Sequence, residues 1–167
     1  MVRVYLGVGS NIDREYHIAA GLDALQTLFG EMVLSSIYDS CSIGFEGSPF
    51  LNLVAGVETA FSPGELQQKL RAIEYAYGRS VNATRFSARQ LDIDILTHGT
   101  LTGCVEGVEL PRAEILENAF VLCPLAEVAG SERHPEVGKT YATLWQEYDQ
   151  ASQSLQKVDF VWQGKSL

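Results

Sequence analysis

The chain has 167 residues and carries 21 Asp and Glu against 12 Lys and Arg, which gives a formal net charge of −9. This acidic balance argues against nucleic acid or an anionic membrane as the main partner, and three widely spaced cysteines provide neither a disulfide framework nor a zinc site. Because 46% of the residues are hydrophobic and no signal or membrane-spanning pattern is evident, we expect one cytoplasmic domain over residues 1–167.

The first predicted element is a strand from Val2 to Val8, which is rich in β-branched and aromatic residues. It leads into a small polar turn, Gly9 to Asn11. A glycine there allows a ligand to approach the backbone, and the Ser and Asn side chains offer hydrogen bonds to a phosphate or to the backbone. A simple strand-to-helix connection capped by Asn11 or Asp13 needs the same residues, and composition alone favours this second interpretation.

A helix and two strands follow. Apolar residues at three-and-four spacing predict a helix from Arg14 to Phe29, and the next segments predict strands from Met32 to Tyr38 and from Phe50 to Ala60. Asn52 is the one amide among the apolar residues of the latter strand, so its side chain must find hydrogen-bond partners. A flat heteroaromatic ligand or a neighbouring turn would supply them.

The loop at residues 39–49 contains two glycines, a proline and two isolated apolar residues, Ile43 and Phe45. Apolar residues in such a loop either close over a small molecule or pack at the edge of the core. The pattern allows both.

A second helix begins at Ser62-Pro63-Gly64-Glu65, which has the form of a capping box with proline at the first helical position. Its apolar face ends near Tyr77, and Gly78 ends the helix. Lys69 and Arg71 lie on its more polar faces, where we expect them to be solvated.

The segment from Arg79 to Gly99 is the most informative stretch of the chain. Its second half, Leu91 to Leu96, alternates apolar and acidic residues, which predicts a half-buried strand with Asp92 and Asp94 on one face. Side chains two apart on a strand are about 7 Å from each other, and paired carboxylates suit a hard cation such as Mg²⁺. The alternative is that both carboxylates are simply solvated on an amphipathic strand and bind no metal.

Positive charge is concentrated just before this strand. Residues 69–89 contain five cations and one acid in an otherwise acidic chain, which favours an anion site there. The predicted order up to this point is β-α-β-β-α-β, so we expect an α+β, ferredoxin-like, two-layer sandwich. After it we expect a helical turn within residues 111–120, short helices at 121–128 and 141–148, and a terminal strand at 155–162.

With these motifs in place, the chain resembles the 6-hydroxymethyl-7,8-dihydropterin pyrophosphokinase family of folate synthesis. The resemblance covers most of residues 2–125 and rests on four motifs in order: Gly9-Ser10-Asn11, Phe50-Leu51-Asn52, Gly78-Arg79, and Arg89-x-Leu-Asp-Ile-Asp-Ile-Leu-x-x-Gly. It implies a ferredoxin-like core, transfer of pyrophosphate from ATP to the pterin hydroxymethyl group, and two Mg²⁺ ions.

The resemblance also implies roles for individual residues. Asp92 and Asp94 would hold both Mg²⁺ ions and act in catalysis together with Arg79 and Arg89. The residues implied to bind ATP are Glu74, Arg79, Arg89 and Arg112. Those implied to bind the pterin are Ser40, Cys41, Ile43, Phe50, Asn52, Phe86 and Phe120. The partners would then be small molecules, and the protein a monomer or weak homodimer.

The chain departs from the family pattern at four places: Phe86-Ser87-Ala88 replaces Trp followed by Gly-Pro, Val81-Asn82 replaces a second cation, Pro111-Arg112 replaces Pro-His, and Asn118 replaces Arg. Losing a charge-assisted bond to phosphate costs about 1.5–3 kcal/mol, so we expect either an active enzyme or one with weakened turnover. The alternatives are a non-catalytic paralogue that binds pterin or nucleotide and, less favoured, a purely structural interaction domain.

Overall fold

The computed structural model describes residues 1–40, 49–78 and 90–167. Its strands are β1 Val2–Ser10, β2 Val33–Leu34, β3 Ile37–Ser40, β4 Phe50–Thr59, β5 Asp92–His98, β6 Gly103–Val105, β7 Val108–Leu110, β8 Leu155–Val158, β9 Val161–Trp162 and β10 Lys165–Ser166. Its helices are α1 Arg14–Phe29, α2 Pro63–Ala76, α3 Glu114–Glu117, α4 Ala119–Ala129 and α5 Tyr141–Glu147, followed by a 3₁₀ turn at Gln150–Ser152.

The central sheet is antiparallel, with the strand order β5-β1-β4-β3-β8 and with β2 also paired to β4. The long strands β1 and β4 occupy its middle, as expected for segments that are buried on both faces. The mixed helix-and-strand class and the antiparallel sheet confirm the broad fold prediction.

Helices cover both faces of this sheet: α1 and α2 lie on one face, and the later helices α3, α4 and α5 lie on the other. On one face, Val4, Leu6 and Ile93 belong to the core that also contains residues of α1 and α2. On the other face, Tyr5 and Leu96 belong to a second core with residues of α3, α4 and α5. Each large apolar side chain buried there stabilises the fold by about 1.5–3 kcal/mol, which accounts for the third layer.

The predicted strand from Met32 to Tyr38 is two strands separated by a bulge. Val33 faces Gly56, whereas Tyr38 faces Asn52, so the register shifts by one residue between β2 and β3. Ser35 occupies the break, where its Oγ accepts a hydrogen bond of 2.9 Å from the Val54 backbone N–H. A serine hydroxyl thus replaces a backbone carbonyl, which is why two consecutive serines interrupt the strand here.

The helix ends follow the sequence at α2 but not at α1. Ser62 and Glu65 form the predicted capping box at the start of α2. At α1 the cap position is Asp13, whose backbone is left-handed and whose side chain makes no capping hydrogen bond. The prediction of a side-chain cap at Asn11 or Asp13 is therefore not met by Asp13.

The segment after β5 adds elements that the sequence only partly predicted. Residues 103–110 form the β6–β7 hairpin around Glu106 and Gly107, both with positive φ, as a two-residue turn requires. The predicted terminal strand divides: β8 joins the central sheet beside β3, and β9 pairs with β10. None of the helices in the described ranges has the length and apolar character needed to cross a membrane.

Candidate active site

Four residues form a row across the central sheet. The register places Asp92 of β5 opposite Gly9, Gly9 opposite Asn52 of β4, and Asn52 opposite Tyr38 of β3. Residues directly opposite each other on adjacent strands share a face of the sheet. The acid of β5 and the amide of β4 therefore flank a glycine, about 10 Å apart by two strand spacings.

Gly9 gives the Asn52 side chain its place in this row. A Cβ built on Gly9 would lie 2.6 Å from Asn52 Oδ1, so a larger residue would displace the amide. Asn52 Nδ2 donates a hydrogen bond of 3.2 Å to Ser40 Oγ, and both side chains are buried. The partner that the sequence required for Asn52 is thus supplied in part by Ser40, which itself was predicted to bind the pterin.

Asp92 and Asp94 lie on the same face of β5, opposite Gly9 and Gly7 of β1, as the alternation predicted. Burial, reinforced by the negative charge of Asp92, raises the pKa of Asp94 from 3.8 to about 7. Ionising both carboxylates in this partly desolvated place therefore costs free energy. A bound cation would remove that cost, because it would neutralise the charge of the pair.

Arg112 is the cation that lies nearest this pair in the described ranges. Its Nη2 lies 3.7 Å from Asp94 Oδ2 and 2.7 Å from Glu114 Oε1. Burial alone would lower the pKa of Arg112, but the two carboxylates more than offset this and raise it. Arg112 remains charged and reaches the edge of the acid pair, although Glu114 holds it more closely than Asp94 does.

Glu74 is fully buried beneath β5. Its Oε2 accepts a hydrogen bond of 2.7 Å from the Ile93 backbone N–H, between the two aspartates, and its Oε1 binds Arg71 Nη1. The negative charges of Asp94 and Asp92 also help to raise the pKa of the Arg71 guanidinium. Arg71 is thus held by Glu74 near the acid pair and is only partly exposed, and Glu74 secures the strand that carries the acid pair.

Glu74→Ala is expected to lower the free energy of unfolding by about 2–4 kcal/mol, because it leaves the Arg71 charge and the Ile93 N–H without their buried partner. Urea unfolding followed by circular dichroism would measure it. Glu147→Ala is the matched control: Glu147 binds Lys139 at 2.8 Å, but both side chains are about half exposed, so the loss should stay below about 1 kcal/mol. Equal losses in the two variants would contradict the anchoring role of Glu74.

The remaining predicted site residues fall into two groups. Phe50 lies opposite Ser40 at the start of β4, and Phe120 lies on α4 against the second core. Asn118 does not take the place of a phosphate-binding cation; it binds Glu114 and Gln153 beside α4. The following predicted positions lie outside the described residues: Cys41, Ile43, Arg79, Val81, Phe86 and Arg89.

Sequence reasoning missed two neighbours of the acid pair, Arg71 and Glu114. A signal was available for each, since Arg71 stands three residues before Glu74 on a helix and Glu114 stands two residues after Arg112. Neither local pair of residues indicates that its side chains would lie beside β5.

The sheet is antiparallel and presents an acid pair and a buried amide on either side of a glycine. These features define a small α+β protein suited to a cation-bound anion and a flat polar ring. A family model for 7,8-dihydro-6-hydroxymethylpterin-pyrophosphokinase (HPPK) matches residues 5–130. The chain belongs to this family, and the resemblance drawn from its motifs is confirmed.

Curated relatives agree with the family model. The chain is 37% identical over 142 residues to a 2-amino-4-hydroxy-6-hydroxymethyldihydropteridine pyrophosphokinase of Porphyromonas gingivalis, covering 81% of this chain and 96% of the relative. It is 36% identical over 138 residues to the enzyme of that name from Pseudomonas aeruginosa, covering 80% and 85%. The enzyme of that name from Aquifex aeolicus is 31% identical over 137 residues, covering 81% and 85%.

Solved structures share the fold. An HPPK-DHPS in complex with substrates superposes with a TM-score of 0.71 at 12% identity, covering 90% of this chain and 44% of that chain. Wild-type HPPK-DHPS of Plasmodium falciparum gives a TM-score of 0.72 at 13% identity, covering 88% and 43%. The chain thus spans less than half the length of these solved proteins.

Proposed function

We propose that this protein transfers pyrophosphate from ATP to 6-hydroxymethyl-7,8-dihydropterin in folate synthesis. The observation that carries the proposal is the row of Asp92, Gly9 and Asn52 across three strands. It brings a cation-binding acid and a buried amide to one face of the sheet. One substrate can then be held at its ring by the amide while its hydroxymethyl end points toward a polyphosphate near the acids.

Two Mg²⁺ ions fit the acid pair. Asp92 and Asp94 would supply the protein ligands, with water and phosphate oxygens completing the shells. Mg²⁺ prefers such sites, with few carboxylates and many other oxygens. When bound, the ions neutralise polyphosphate charge.

In the proposed reaction, the hydroxymethyl oxygen attacks the β-phosphorus of ATP and loses its proton. The bond from that phosphorus to the bridging oxygen of the α-phosphate breaks, and AMP leaves. The protein contributes mainly position and charge. Asn52 orients the ring, Phe120 packs on it, and Arg112 adds positive charge beside Asp94, with Arg79 and Arg89 proposed as further phosphate ligands.

We also propose the finer structural assignments. The βαββαβ order and the strand order β5-β1-β4-β3 support a ferredoxin-like core within a single domain over residues 1–167. The proposed substrates are small molecules, with neither nucleic acid nor membrane as partner, in a cytoplasmic monomer or weak homodimer. The four departures from the family pattern make reduced turnover part of the proposal.

Incubation of the purified protein with ATP, Mg²⁺ and 6-hydroxymethyl-7,8-dihydropterin tests the function. AMP and the pterin pyrophosphate, resolved by chromatography, should appear in equal amounts and only when the pterin is present. Pterin binding without AMP would instead identify a binding paralogue, and the lack of any binding to pterin or nucleotide would leave a structural domain.

A further inference from the structure

Glu127 of α4 accepts hydrogen bonds from three donors in and next to β3 through its one carboxylate. Its Oε2 accepts hydrogen bonds from the backbone N–H of Ser36 at 2.8 Å and from Ser36 Oγ at 3.0 Å. Its Oε1 accepts one from the Tyr38 hydroxyl at 2.8 Å. Nothing in the proposed reaction uses this carboxylate, although hydrogen bonds to a charged group are the strong ones.

These donors lie where the strand pairing is irregular and next to Asn52. Ser36 stands in the bulge between β2 and β3, where the register shifts and the ladder is interrupted. Tyr38 is the residue directly opposite Asn52 and shares its face of the sheet. Glu127 therefore holds the part of β3 that borders the pterin-reading amide.

The same helix carries Phe120, two turns before Glu127, so the two side chains lie on one face of α4. Phe120 packs against the core on the Tyr5 side of the sheet. Fixing Glu127 to Ser36 and Tyr38 thus sets the distance between α4 and the strand row, and with it the gap between Phe120 and Asn52.

We infer that Glu127 is a positioning residue for the pterin site, which sets the gap between Phe120 and Asn52 by holding Tyr38 and the β2–β3 bulge. The inference rests on the proposed function. Burial and the bond to Glu127 raise the pKa of the Tyr38 hydroxyl, so Tyr38 stays a hydrogen-bond donor throughout the range of enzyme assays.

The chain offers a matched comparison. Tyr5 also lies on this face and its hydroxyl also donates to a glutamate, Glu132, but Tyr5 is opposite Gly56, away from Asn52. Tyr38→Phe and Tyr5→Phe remove the same chemical group from the same kind of pair. A merely structural role predicts equal consequences for the two variants, whereas a positioning role predicts different ones.

Calorimetry with 6-hydroxymethyl-7,8-dihydropterin, Mg²⁺ and a non-hydrolysable ATP analogue separates these cases. Tyr38→Phe should raise the pterin Kd by about 5- to 20-fold, as expected for a lost bond to a charged group, and leave the nucleotide Kd within about 2-fold. Tyr5→Phe should change neither. An unchanged pterin Kd in Tyr38→Phe, or an equal rise in both variants, would overturn the inference.

Substitution of the carboxylate gives a second test. Glu127→Gln keeps one acceptor oxygen, so its pterin Kd should lie between those of the wild type and Glu127→Ala, and wild-type affinity in a folded Glu127→Ala would overturn the inference. Failure of the proposed function is distinguished from both results, because the wild-type protein would then neither bind the pterin nor release AMP.

Discussion

Asp94→Asn is expected to lower turnover by about 10³-fold or more, because one of two carboxylates that hold the cations loses its charge and several kcal/mol of polyphosphate neutralisation go with it. Binding of the Mg²⁺–ATP complex should fall in parallel, while the fold remains. Calorimetry with a non-hydrolysable nucleotide and an AMP-release assay measure the two effects. Substantial turnover in Asp94→Asn would contradict the assignment of Asp94 to the metal site.

The same substitution should make the metal-free protein more stable at high pH. The pKa of Asp94 is raised from 3.8 to about 7 in the folded protein, so the folded state retains a proton that the unfolded state has lost. Stability is therefore lost as pH rises from about 4 to 7, by about 2–4 kcal/mol for this one group. The Asn side chain does not ionise, so the Asp94→Asn variant should not lose this stability as the pH rises.

Urea unfolding in a chelator at pH 5 and pH 8 tests this gain. The wild type should be less stable at pH 8 than Asp94→Asn, and the two should converge toward pH 4. Glu109→Gln, on an exposed position of β7, is the control and should match the wild type at both values. A gain that is equal at pH 5 and pH 8 would show that packing, and not ionisation, is responsible.

Period-two alternation predicted the acid pair well, because it is a purely local property of a half-buried strand. Leu91, Ile93 and Ile95 are buried, and Asp92 and Asp94 share the other face. The burial of Asp94 was not predictable from this pattern. It depends on segments such as the one carrying Arg112, which meets the strand only in the folded chain.

Long-range contacts account for the other differences. Arg71 has the sequence neighbours of a solvated helical cation, yet Glu74 directs it toward β5. Glu127 bears no sequence signal at all, since its partners Ser36 and Tyr38 are about 90 residues away. Helix periodicity identifies the buried face of a helix but not the strand that face will meet.

The later helices were predicted, but their place on the second face of the sheet was not, for a related reason. The sequence predicted α4 as a short buried helix, and the strands as a sheet, but neither pattern states which face of the sheet a later helix covers. The apolar residues on both faces of β1, such as Leu6 and Tyr5, were the available signal. A strand buried on both faces requires a layer on each side.

Gly9→Ala is expected to weaken pterin affinity by about 10-fold or more while costing little stability. Its new Cβ would meet Asn52 Oδ1 at 2.6 Å, and the next contact, Leu51 O, is at 3.5 Å. The clash falls on the end of a side chain that can rotate away, so the backbone need not move. Asn52 would then leave the ring edge that it reads, losing hydrogen bonds to the pterin worth about 1.5 kcal/mol or more in total. Its bond to Ser40 is lost as well, at a stability cost of about 1 kcal/mol.

Gly7→Ala is the matched control on the same strand and the same face. Its Cβ would lie 3.4 Å from a Leu96 methyl, an ordinary packing contact that does not involve Asn52, so the pterin Kd should stay within about 2-fold of the wild type. Both variants should unfold at wild-type temperature within a few degrees. Wild-type pterin affinity in Gly9→Ala would contradict the prediction that Gly9 gives the Asn52 amide its place beside the ring.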